Sequence, residues 1–145
     1  LVNNDSARYT DRWVDLEFEG SSPWVKGIDK MSVPIAHGEG KFYASLEMLG
    51  MINKNNLVAA RYIYGETCEN QSLAFNPNGS LDRIASITDV SERLIGMMPH
   101  PERAIDFTQL PNWTLLKEQY KRVGKELPNE GPGLQIFENG VNYFK

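Results

Sequence analysis

From Arg12 to Glu19 the chain alternates, with Trp13, Val14, Leu16 and Phe18 set against Asp15, Glu17 and Glu19. Successive side chains on a strand point to opposite faces, so this pattern reads as a strand with one face buried. A buried strand face needs a sheet, and further runs can build one. Leu57–Tyr64 is rich in Val, Ile and Tyr, and Ser32–Ala36 is a short apolar run. Pro34 restricts that run to a position where no N–H is needed. Ile84–Thr88 and Arg93–Met98 read as paired strands joined by Asp89–Glu92.

Helices fall between and after these runs. Ser45 is placed to cap a helix presenting Leu46, Met48, Leu49 and Ile52, ending near Asn53–Asn56. Cys68–Ser72 reads as loop, and Asn76-Pro77-Asn78-Gly79-Ser80 as a tight turn. Trp113–Arg122 reads as a helix, Gly124–Pro132 as a polar linker. A last amphipathic helix carries Leu134, Phe137, Val141 and Phe144, weakened by Gly140. The order is that of an α/β or α+β fold. The change in character after Ala104 divides the chain into residues 1–104 and a linker-rich part, 105–145, ending in a helix.

Composition narrows the functions. Hydrophobic residues make up 41% of the 145 and charged residues 23%, enough for one domain with a sizeable core. The net charge is −4 and no basic tract occurs, which argues against nucleic acid. No apolar run reaches the roughly 18–20 residues of a membrane span, and no signal peptide is evident. The single cysteine, Cys68, makes no internal disulfide, which suits a reducing cytoplasm. The chain opens on Leu1-Val2-Asn3-Asn4-Asp5-Ser6, polar after two residues, and is expected to come from the middle of a longer protein.

Chemistry concentrates at Met97-Met98-Pro99-His100-Pro101-Glu102-Arg103. Each proline fixes φ near −65° and biases its predecessor toward extended backbone. An extended segment would set His100 and Glu102 side by side on one face. A carboxylate beside an imidazole fixes its tautomer and stabilises the imidazolium, as a general base needs. The alternative is a satisfied turn histidine with a surface glutamate.

The second histidine lies in His37-Gly38-Glu39-Gly40, after the second strand. Glycines there permit close backbone approach to a ligand, and Glu39 could meet an ammonium; a plain turn is the competing reading. The His and Glu spacing fits no zinc pattern, so no metal is expected. Cys68, flanked by Glu66 and Glu69, lacks a nucleophile elbow and reads as non-catalytic. Arg12-Trp13 is either a substrate contact or core, and Asn76–Ser80 a binding loop or a turn.

In order, Asn4-Asp5-Ser6-Ala7-Arg8 with Asp11-Arg12-Trp13-Val14, Pro34-Ile35-Ala36-His37-Gly38-Glu39-Gly40, Asn76-Pro77-Asn78-Gly79-Ser80 and Gly96–Ala104 resemble the glutaminase subunit of phosphoribosylformylglycinamidine synthase, a class I glutamine amidotransferase. The resemblance runs to about Ala104 and extends through Phe107–Trp113. It implies an α/β fold with a mixed central sheet, flanking helices and a Cys-His-Glu triad. By similarity His100 is the base and Glu102 its orienter, and His37, Gly38 and Glu39 line the glutamine pocket. The implied product is ammonia for a larger synthetase subunit that uses ATP and magnesium in purine synthesis; no cofactor is implied for this chain.

The sequence departs from the family in two places. Ala7 stands where glycine is usual, and the Gly-X-Cys-Asn-Gly-Phe-Gln-type elbow belongs before the Asn4–Arg8 region, so the first strands and the nucleophile are expected outside this chain. The alternatives are a non-catalytic scaffold for the synthetase and a hydrolase built on Cys68. Unpaired strand edges and uncovered apolar faces predict association with a missing half or a partner.

Overall fold

The computed structural model describes residues 1–145. Five strands form one sheet: β1 (Thr10–Phe18), β2 (Lys30–His37), β3 (Val58–Ile63), β4 (Ile84–Thr88) and β5 (Ile95–Met97). Their spatial order is β2-β1-β3-β4-β5, and all four pairings are antiparallel. The α/β class holds, and the strands carried here contribute no parallel pair. Four helices accompany the sheet: α1 (Leu46–Lys54), α2 (Glu66–Gln71), α3 (Trp113–Arg122) and α4 (Leu134–Phe144). None is long and apolar enough to cross a membrane.

The alternation in β1 sets the core. Val14 pairs with Val33, Leu16 with Met31 on one side and Tyr62 on the other, and all five are buried. Each large apolar side chain removed from water contributes about 1.5–3 kcal/mol. The same face continues toward one end as Arg12 opposite Ile35 and Thr10 opposite His37. The β1–β2 ladder thus runs from an apolar centre to a polar end. Pro34 lies on edge strand β2, where its missing N–H costs no ladder bond.

Ser45 caps α1, its side chain accepting from the Met48 amide. Of the apolar face expected on α1, only Ile52 is buried, against Val58 and Ile84; Leu46 is 89% exposed. Cys68–Ser72 is not loop. It overlaps α2, whose first amides, Thr67 and Cys68, are capped from across the sheet by the Asp15 carboxylate at 3.0 and 3.3 Å.

The last helix docks by a face other than the expected one. Ile136 and Gly140 are buried, whereas Phe137, Val141 and Phe144 stay 37%, 55% and 50% exposed. Gly140 is what permits the contact, because a methyl group there would overlap the Trp24 ring. Asn139 then donates to the carbonyls of Trp24 and Lys26 at 3.0 and 2.8 Å. Ile136 enters the same cluster as Val14 and Leu16, and Gly131 and Gly133 donate to Ile105 and Ala104.

Candidate active site

The segment after β5 carries His100 to the edge of β2, where its amide donates to the Pro34 carbonyl at 2.8 Å. Residues Pro101–Ala104 then form a 3-10 turn, not the extended segment expected from the two prolines. Pro101 is the reason: its fixed φ suits the first helical position, where an N–H has no partner anyway. His100 keeps the non-helical backbone of a residue before proline, with φ −107° and ψ 82°. The turn itself brings Glu102 back, and His100 Nδ1 lies 2.7 Å from Glu102 Oε1.

A carboxylate can only accept, so Nδ1 carries a proton, and in the neutral ring Nε2 keeps its lone pair. Nε2 is buried and has no hydrogen-bond partner. An unsatisfied buried acceptor costs about 1–3 kcal/mol. A base oriented by a carboxylate, with its basic nitrogen vacant, is the arrangement that proton abstraction requires.

His37 is built differently. It ends β2, is only 5% exposed, and has both ring nitrogens engaged: Nδ1 with Asn4 Oδ1 at 3.0 Å and Nε2 with Asn78 Nδ2 at 3.4 Å. Burial lowers its pKa; its backbone hydrogen bond acts the other way, and a protonated His100 acts with burial. Gly38 is half-buried and Glu39 exposed, so these two residues present the outer surface of the loop. Gly40 is buried against the His37 ring, where a methyl group would overlap the imidazole.

Cys68 is fully buried on α2 beside Asp15. It makes no hydrogen bond to His100, whose Nε2 has no partner. Arg12 donates to the Ala74 carbonyl, while its Nη1 and the Tyr62 hydroxyl are buried without partners. Burial pushes the Tyr62 phenol pKa up. Trp13 packs partly buried against the main core.

The family model for the CobB/CobQ-like glutamine amidotransferase domain matches residues 1–144. The chain belongs to that family. Phosphoribosylformylglycinamidine synthase subunit PurQ of Methanococcus maripaludis strain C7 is 40% identical over 147 residues, covering 99% of this chain and 54% of the relative. The same subunit of Dehalococcoides mccartyi is 39% identical over 145 residues, covering 99% and 52%. In solved structures, a chain of PurLQS from Thermotoga maritima superposes with a TM-score of 0.64 at 27% identity, covering all of this chain and 52% of that one. The chain therefore spans about half the length of the relatives it matches.

Two site residues escaped the sequence reading. Asn4 lies in the Asn4–Arg8 motif, which carries the resemblance without a role for that residue, and Asn78 in a segment open between binding loop and turn. Both are buried polar side chains that fasten the His37 loop. The available signal was the turn chemistry of Asn78-Gly79. Gly79 has φ +80°, and a side chain there would overlap the Asp5 carboxylate.

Proposed function

We propose that this chain supplies the His–Glu half of a Cys-His-Glu glutaminase centre, with His100 as base and Glu102 as its orienter. One observation carries the reading: His100 Nδ1 is held at 2.7 Å by Glu102 while Nε2 stays buried and unpartnered. Family membership and the subunit names of the relatives support glutamine as substrate and phosphoribosylformylglycinamidine synthase as the assembly served.

The thiol comes from outside residues 1–145, since the single cysteine of this chain is sealed in the core. Its proton passes to His100 Nε2, and the thiolate attacks the side-chain amide carbon of glutamine. The imidazolium returns that proton to the departing nitrogen, which leaves as ammonia. Water, deprotonated by the same nitrogen, cleaves the γ-glutamyl thioester to glutamate and restores the thiol. Gly38 and Glu39 border the substrate, Glu39 facing its ammonium group. Ammonia passes to a larger synthetase subunit, where ATP and magnesium act; this chain itself uses no cofactor.

The test pairs this chain with the complementary half of a relative bearing the cysteine elbow. Ammonia release from glutamine is expected from the mixture and from neither part alone. A glutamine-mimicking electrophile is expected to label the supplied cysteine and not Cys68. A stable complex that releases no ammonia would establish the scaffold reading instead, and stoichiometric labelling of Cys68 would return the nucleophile to this chain.

A further inference from the structure

The hydrogen bonds around His37 determine its protonation state without reference to any titration. Asn4 Nδ2 lies 2.9 Å from the carbonyl oxygens of both Arg8 and His37, so the NH2 end of that amide is on that side. Its Oδ1 accepts the Gly40 amide at 3.2 Å. The remaining contact of Oδ1, with His37 Nδ1 at 3.0 Å, is a hydrogen bond only if Nδ1 carries a proton. Asn78 is fixed in the same way. Its Nδ2 donates to the Gly40 carbonyl at 2.8 Å, and its Oδ1 accepts from the amide and hydroxyl of Ser80 at 3.1 and 2.8 Å. Its second N–H faces His37 Nε2 at 3.4 Å, with the Tyr62 hydroxyl as a competing acceptor, and it bonds the ring only if Nε2 offers a lone pair.

We infer that Asn4 and Asn78 hold His37 as the neutral Nδ1–H tautomer, a positioning residue that carries the Gly38–Glu39 turn at the end of the strand whose Pro34 carbonyl receives the His100 amide, and does not itself bind substrate. Both amides have spent all four of their hydrogen-bonding positions, and both ring nitrogens are used, so none of the three has capacity left for a ligand. Gly40 completes the device. Its amide and carbonyl bond one asparagine each, and its bare α-carbon lies on the ring between them. Three chain segments, at Asn4, at His37–Gly40 and at Asn78–Ser80, are thereby joined through one imidazole.

Protonating Nε2 would set an N–H against the Asn78 N–H, so acid works directly against this arrangement. The ionisable groups around the cluster do not relieve that conflict. His100, when protonated, opposes a second positive charge, Asp5 and Lys41 are paired with each other, and Glu39 is exposed on the loop. On the strands alongside, Tyr62 is neutral and Arg12 cationic. The tautomer stands on the hydrogen bonds alone; the role of the turn rests on the glutaminase reading.

The experiment is long-range proton–nitrogen correlation on the ¹⁵N-labelled chain, which has two imidazoles. His37 is expected to show a protonated Nδ1 and a bare Nε2, unchanged below pH 6.5, where a free imidazole titrates. An Nε2–H tautomer, or ordinary titration at 6.5, would overturn the inference. Asn78→Asp replaces the opposing donor with an acceptor, and His37 should then hold both protons at neutral pH; an unchanged spectrum would equally sink it. The protection factor of the Gly40 amide, taken against the unstructured exchange rate at each pH, should fall when the wild-type chain is taken to acid, and an unchanged protection factor would refute the pinning of the turn. None of these readouts depends on ammonia release, so failure of the glutaminase reading would be seen separately.

Discussion

The chain has two histidines, about as differently housed as one small domain allows. His37 is enclosed by two neutral amides and a glycine, with every polar atom satisfied. His100 is tied to one carboxylate that is itself half in solvent, and its other nitrogen is idle. Uncharged partners on both sides make an imidazole a strut. A carboxylate on one side and a vacancy on the other make it a base. Chemistry and architecture are thus divided between the two, and the division can be broken experimentally.

The largest effect should come from the base. In the protein assembled with a nucleophile-bearing half, His100→Ala is expected to lower kcat for ammonia release by about 10⁶-fold, as removal of the base does in other covalent hydrolases. Glu102→Gln should cost about 10⁴-fold through loss of the oriented tautomer. His37→Gln should instead act mainly on the KM for glutamine, because the turn that borders substrate loses its support. Equal losses of kcat at His37 and His100 would abolish the distinction.

On stability the ranking reverses. Gly40→Ala forces a methyl group into the His37 ring and should cost about 3 kcal/mol in denaturant unfolding. His100→Ala removes a partly exposed hydrogen bond to Glu102 worth about 0–1 kcal/mol, and should move the unfolding midpoint little. A Gly40→Ala protein as stable as its parent would mean that the ring is not wedged as described.

What the sequence disclosed follows from which signals are local. The β1 alternation, the Ser45 cap and the limits of α3 are written in neighbouring residues, and the structure keeps them. Helix α2 is almost wholly polar, so it has no periodicity to read, and its cap, Asp15, lies about fifty residues away. The face that α4 buries depends on Gly140 receiving Trp24, a contact across more than a hundred positions. The site divides in the same way. His100 and Glu102 are two residues apart and their pairing was legible, although a turn rather than a strand creates it. Asn4 and Asn78 meet His37 from 33 and 41 residues away, and an asparagine in a loop carries no mark of such a partner.

Acid should separate the two histidines next. The pKa of His37 is lowered in the folded chain by burial, so the unfolded chain binds the proton more readily. The stability due to neutral His37 is complete above the unfolded value of 6.5. It declines as pH falls below that value, until the folded-state pKa is passed. Unfolding free energy measured between pH 8 and 5 should show this slope in the parent. Asn78→Asp should reverse its sign, because a carboxylate at that position favours the charged ring. A parent whose stability is flat across 6.5 would show that His37 is as free to take up a proton as an unfolded imidazole.

The smallest effect belongs to the remaining nucleophilic side chain. Cys68 is fully buried, and its amide, not its thiol, does the bonding to Asp15. Cys68→Ala should cost about 1 kcal/mol from lost packing and leave ammonia release by the assembled protein unchanged. Cys68→Ser should be worse than alanine, since a hydroxyl there enters a core position without water. That order, with alanine milder than serine and neither touching turnover, is what a packing cysteine predicts. A nucleophile predicts the opposite: alanine abolishes turnover whatever it does to stability, so one pair of variants assayed both ways decides whether the reacting thiol lies within these 145 residues.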